Sequence, residues 1–68
     1  MPPKIRQLKS SLAKAGFIER PAKGSHTFWT HPALPEATIT IAGKDGADAQ
    51  QYQIKQVHQA LAALRGAR

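Results

Sequence analysis

The sequence has no cysteine, so disulfides and thiolate-bound metals are both excluded as stabilisers. It also lacks any apolar run near the roughly 20 residues that a membrane-spanning helix needs. Behind the charged start Met1-Pro2-Pro3-Lys4-Ile5-Arg6 there is no apolar stretch of the about 7 to 15 residues found in secretory signals. A cytoplasmic protein without membrane association is therefore expected. Acidic residues are scarce and scattered, and His26, His31 and His58 fall on separate segments, so no metal site is expected. No phosphate-binding glycine pattern is present. No nucleophile elbow surrounds Ser10, Ser11 or Ser25. Neither a cofactor nor a serine triad is expected.

What is present in excess is positive charge. Ten Lys and Arg stand against four Asp and Glu, a formal net charge of +6. On so small a surface this favours a polyanionic partner, most simply nucleic acid. With 68 residues, the chain is expected to form one domain over residues 1–68, held by hydrophobic packing alone.

Apolar residues divide the chain into five elements. Residues 4–15 carry Ile5, Leu8, Leu12 and Ala15 at helical spacing, with Lys4, Arg6, Lys9 and Lys14 mostly off that stripe. Gly16 suits the left-handed position that ends a helix. Phe17 to Pro21 reads as a first strand at a sheet edge, and Ala22 to Ser25 as a turn. His26 to His31 reads as a second strand, Pro32 to Glu36 as a loop, and Ala37 to Ala42 as a third strand. In that third strand Thr38 and Thr40 alternate with Ile39 and Ile41. After a loop at Gly43 to Ala47, Asp48 is placed to cap a second helix with Gln51 as its reciprocal partner. That helix runs to about Leu64, with Ile54, Val57, Leu61 and Leu64 as its stripe. The expected architecture is α+β, in the order α-β-β-β-α, with a three-stranded antiparallel sheet and both helices on one face.

The segment Lys23-Gly24-Ser25-His26-Thr27-Phe28-Trp29-Thr30-His31-Pro32 carries the most specific pattern. Gly24-Ser25-His26 at the start of the second strand, then Trp29 and His31-Pro32, resembles the HicA family of type II toxins. Gly16-Phe17, behind an apolar-striped helix, agrees with that family at the usual distance. Two segments depart from many of its members: Thr27 replaces a bulkier residue or histidine, and Gly43 to Ala49 followed by Tyr52-Gln53 replaces a proline-containing, histidine-bearing stretch. The latter resembles a shorter branch of HicA-like sequences. The resemblance implies a fold like that of double-stranded-RNA-binding domains. It also implies cleavage of messenger RNA, restraint by a HicB-like antitoxin, and His26 as the catalytic residue, positioned by Gly24 and Ser25.

A histidine suits metal-independent RNA cleavage. Imidazole, with an ordinary pKa of about 6.5, can take a proton from a 2′-hydroxyl or give one to a leaving oxygen. Lys23 is the first candidate to stabilise charge at phosphorus and Lys44 the second; Lys4, Lys9 and Lys14 would meet more remote phosphates. Plainer readings stand beside these. His31 reads as a solvated strand end, His58 as a half-buried helix flank, Trp29 as core packing and Tyr52 as core edge. Both faces of the second strand hold an aromatic; an accessible His26 favours Trp29 inside and Phe28 on the open face. Two other functions compete with the nuclease: an RNA-binding module that cuts nothing, and a basic protein that docks an acidic partner.

Overall fold

The computed structural model describes residues 1–66. Helix α1 spans Ile5–Lys14, strands β1, β2 and β3 span Ile18–Pro21, Thr27–His31 and Leu34–Ile41, and helix α2 spans Gln51–Gly66. The strands form one antiparallel sheet in the order β1-β2-β3. This is the expected α-β-β-β-α architecture, with β1 at an edge.

Helix α1 buries Ile5, Leu8 and Leu12, and Ala15 is half-buried, as its stripe requires. Its end is a Schellman motif: the Phe17 amide donates to the Leu12 carbonyl at 3.0 Å and the Gly16 amide to Ala13 at 3.1 Å. Gly16 has φ +96°, the left-handed turn that this motif needs. Phe17 and Leu12, brought together by it, are both buried. The start of α1 is closed by distant backbone. The amides of Ile5 and Arg6 donate to the carbonyls of Ala47 and Asp45, so the loop after β3 satisfies donors that the helix cannot.

Both helices pack on the same face of the sheet. Ile5, Leu8 and Leu12 from α1 and Val57 and Ala60 from α2 share one core with Phe17, Trp29, Ile39, Ile41 and Ala49. Ile54, Leu61 and Leu64 are only partly buried against it; the most deeply buried α2 positions also include Gln53, 3 % exposed. Both polar atoms of its side chain have partners there. Its Nε2 donates to the Ala42 carbonyl at 2.8 Å, and its Oε1 accepts from the Gln50 amide at 2.8 Å. Gln50 therefore precedes the helix and Gln53 closes it, in place of the expected Asp48 and Gln51. Asp48 instead pairs its backbone and its carboxylate with Lys4.

Strand β3 begins three residues earlier than the sequence suggests. Pro32 and Ala33 make a tight turn, and Leu34 already pairs with His31. Pro35 fits because the pairing slips here: four residues of β3 lie between Leu34 and Ile39, against Thr30 alone on β2. A bulge on an edge strand asks nothing of the missing proline amide.

His31 is no solvated strand end. Its Nδ1 accepts from the Ala33 amide at 2.9 Å, and its Nε2 lies 3.1 Å from the Ala15 carbonyl. Since a carbonyl can only accept, Nε2 carries the proton. The ring also meets Phe17 edge-on, with centroids 5.0 Å apart. Gly16 leaves room for it, because a Cβ there would sit 3.0 Å from Nε2. One side chain thus ties the end of α1 to the β2–β3 turn.

Two stability predictions follow from this packing, both read by thermal or urea unfolding. Leu12→Ala should cost about 2 to 5 kcal/mol, and the half-buried Leu61→Ala clearly less. His31→Ala should cost about 1 to 3 kcal/mol through the lost bond to the part-buried Ala15 carbonyl and the lost contact with Phe17; a loss below about 0.5 kcal/mol, the scale of neutral surface changes, would contradict the tie.

Candidate active site

The site is built on the turn between β1 and β2. The Ala22 amide donates to the His26 carbonyl at 3.1 Å, and the His26 amide donates to the Lys23 carbonyl at 3.2 Å. Gly24 and Ser25 occupy the two central positions of this turn. Gly24 has φ +65°, a conformation that costs other residues roughly 1 to 2 kcal/mol. No atom would obstruct a Cβ at Gly24, so backbone conformation rather than space calls for glycine.

The same carbonyl that closes the turn also holds the histidine ring. His26 Nδ1 lies 3.2 Å from the Lys23 oxygen. A carbonyl oxygen can only accept, so in the neutral ring Nδ1 bears the proton and Nε2 bears the lone pair. His26 is exposed, and among the described residues Nε2 has no hydrogen-bond partner. The arrangement leaves a proton acceptor facing water, with its orientation set by the backbone two bonds upstream of a glycine.

Strand β2 carries this residue's face outward. Pairing places Thr27 opposite Ile41 and Trp29 opposite Ile39, all on the helix side. Trp29 is 3 % exposed, and its indole nitrogen donates to Thr27 Oγ1 at 3.0 Å. Thr27 therefore serves the tryptophan, while Phe28 lies on the open face at 43 % exposure. Trp29 is a core residue, as the accessible histidine suggested.

The cationic candidates separate into two groups. Lys4 pairs with Asp48, and Lys9 pairs with Asp45 at 2.8 Å with its own side chain only 19 % exposed. These two lysines anchor the loop after β3 to α1, so their charge is already answered by carboxylates. Lys14, Lys23 and Lys44 are exposed, and among the described residues none of them forms a salt bridge. Lys23 lies in the turn itself. Lys44 follows β3 at the end that pairs with Thr27, so topology brings it to the same end of the sheet as His26.

The remaining candidates stand apart. His58 lies exposed on α2 rather than half-buried, and Tyr52 is 55 % exposed rather than at the core edge. His31 is committed to its structural bonds. Among the described residues no group of three or more His, Asp or Glu side chains could hold a metal ion. Among the described residues no helix is long and apolar enough to cross a membrane.

Comparison with known proteins places this turn in a family context. No curated protein and no solved structure matches the chain. Residues 5–65 match a family model described as the HicA toxin of bacterial toxin-antitoxin systems. That span runs from the first residue of α1 to the last turn of α2 and includes the whole β1–β2 turn. A match over most of the 68 residues shows the family, and with it a toxin that has an antitoxin as partner. The chain belongs to the HicA toxin family of bacterial toxin–antitoxin systems.

Proposed function

We propose that this toxin is a metal-independent endoribonuclease that cuts messenger RNA with His26 as general base, and that a HicB-type antitoxin restrains it. The observation that carries the reading is the exposed His26 ring with Nδ1 held by the Lys23 carbonyl. Its Nε2 takes the proton from a ribose 2′-hydroxyl as that oxygen attacks the adjacent phosphorus. The 2′-oxygen–phosphorus bond forms and the phosphorus–5′-oxygen bond breaks. The leaving oxygen departs on the opposite side of phosphorus and takes its proton from solvent. The products are a 2′,3′-cyclic phosphate and a 5′-hydroxyl.

The Lys23 carbonyl does more than aim the ring. Once Nε2 is protonated, the imidazolium keeps its Nδ1–H bond to that oxygen, which becomes charge-assisted and stronger. Lys23, with its ammonium in the same turn, is the nearest candidate in sequence to meet charge growing on the phosphoryl oxygens, with Lys44 next. Lys14 is suited to more distant phosphates. Lys4 and Lys9 contribute less to RNA because Asp48 and Asp45 already occupy them. The requirement for a 2′-hydroxyl gives RNA over DNA without any further selectivity.

Purified protein incubated with RNA in EDTA should yield fragments ending in 2′,3′-cyclic phosphate. His26→Ala should slow cleavage by about 10²- to 10⁴-fold while leaving the melting temperature nearly unchanged. Replacing the ribose at a cut site by deoxyribose should abolish cutting there. Intact RNA with wild type and His26→Ala alike, at equal retention on RNA, would leave a binding module and overturn the nuclease.

A further inference from the structure

The open face of the sheet carries features that His26 alone does not use. His26, Phe28 and Thr30 alternate with the buried positions of β2, so they share the face turned from the helices. The pairing register adds Arg20 opposite Phe28 on one side and Thr40 on the other, with Ile18 opposite Thr30. Phe28 and Ile18 are 43 % and 52 % exposed, two of the few large apolar side chains left in water. Arg20 and Thr40 are exposed beside the ring.

The charge of this face is one-sided. The protein has four acidic side chains. Asp45 and Asp48 are bound to Lys9 and Lys4, Glu19 pairs with Trp29 on the helix side, and Glu36 lies in the bulge near the β2–β3 turn. Around Phe28 the strand positions supply Arg20 and threonine hydroxyls and no acid. A planar ring flanked by a guanidinium and hydroxyls offers a stack for a base, a cation for its phosphate and partners for its polar edge.

We propose that single-stranded RNA lies across this open face, with one base stacked on Phe28 and its backbone held by Arg20, delivering the neighbouring ribose to His26. The inference rests on the reading of the protein as an RNA-acting toxin, and it names the form of RNA and the residue that grips it. His26, which closes the turn just before β2, and Phe28 are two residues apart, at most roughly 6.6 Å along the chain, so one dinucleotide spans both. A duplex is excluded as the ligand of this surface because its bases are stacked on each other and present no free face to a protruding ring. A protein partner is less suited to it, because the net charge of +6 and the acid-free surroundings of the ring favour phosphates.

The test is fluorescence anisotropy with a short unstructured oligoribonucleotide, and with the same strand annealed to its complement. Each variant is made in the His26→Ala background, so that nothing is cut. Phe28→Ala and Phe28→Leu should each weaken binding of the single strand about 10-fold, and Phe28→Tyr should retain it. Arg20→Ala should reduce the salt dependence by about 0.7 log units per log unit of salt. Melting temperatures should fall far less than in Leu12→Ala, since neither side chain belongs to the buried core. Unchanged affinity in Phe28→Ala or Phe28→Leu would overturn the proposal. Equal weakening of duplex binding would overturn it also, as would loss of antitoxin binding alone. Failure of the wild type to cleave RNA, with binding still dependent on Phe28, would remove the nuclease and leave this surface standing.

Discussion

Two helices cover one face of a three-stranded sheet, and that constraint decides where every strand residue goes. With Ile39, Ile41 and Trp29 committed to the core, the neighbouring positions have no choice but water. Thr27 fills the space at the end of the buried row and caps the indole nitrogen. His26 and Phe28 are exposed by the same parity. A shift of one residue in the β2 register would turn the histidine toward the helices and the tryptophan toward solvent. The open face and the core are thus two sides of one pairing decision.

The turn before β2 adds direction to that exposure. A side chain on a turn ordinarily samples several rotamers, and catalysis by a wandering imidazole would be inefficient. Here one backbone oxygen, that of Lys23, accepts from both the amide and the ring of His26. The left-handed Gly24 bends the chain enough for a residue to bond the carbonyl three positions back twice over. This gives a physical meaning to the run Gly24-Ser25-His26: glycine for the bend, a small residue to complete it, and a ring whose tautomer is set by main chain.

Much of this was legible in the sequence. Ile5, Leu8 and Leu12 repeat at helical spacing and are buried; Ile39 and Ile41 alternate with threonines and are buried. The Gly16 stop was visible because glycine after a stripe has few other uses. Other features were hidden for identifiable reasons. Pro32 and Pro35 looked like loop, because a bulge that tolerates proline depends on a pairing slip that no local pattern shows. Gln50 is not a usual capping residue, and the selection of Gln53 rather than Gln51 as its partner comes from a buried site beside Ala42. The lysines of α1 looked equivalent. Their carboxylate partners lie 44 and 36 residues away, so only the folded chain distinguishes Lys4 and Lys9 from Lys14. His31 stood out only as part of the His31-Pro32 pattern, and its structural role was hidden because its ring bonds backbone groups, one of them 16 residues away.

Base catalysis by His26 depends on which of its nitrogens holds the proton while the ring is neutral. Long-range nitrogen-15 NMR of the imidazole, recorded at a pH of about 8.5 where ordinary histidine is uncharged, reads this directly. The expected spectrum shows a protonated, pyrrole-like Nδ1 and an unprotonated, pyridine-like Nε2. The reverse pattern, or the averaged shifts of a freely exchanging ring, would contradict a base aimed by the Lys23 carbonyl.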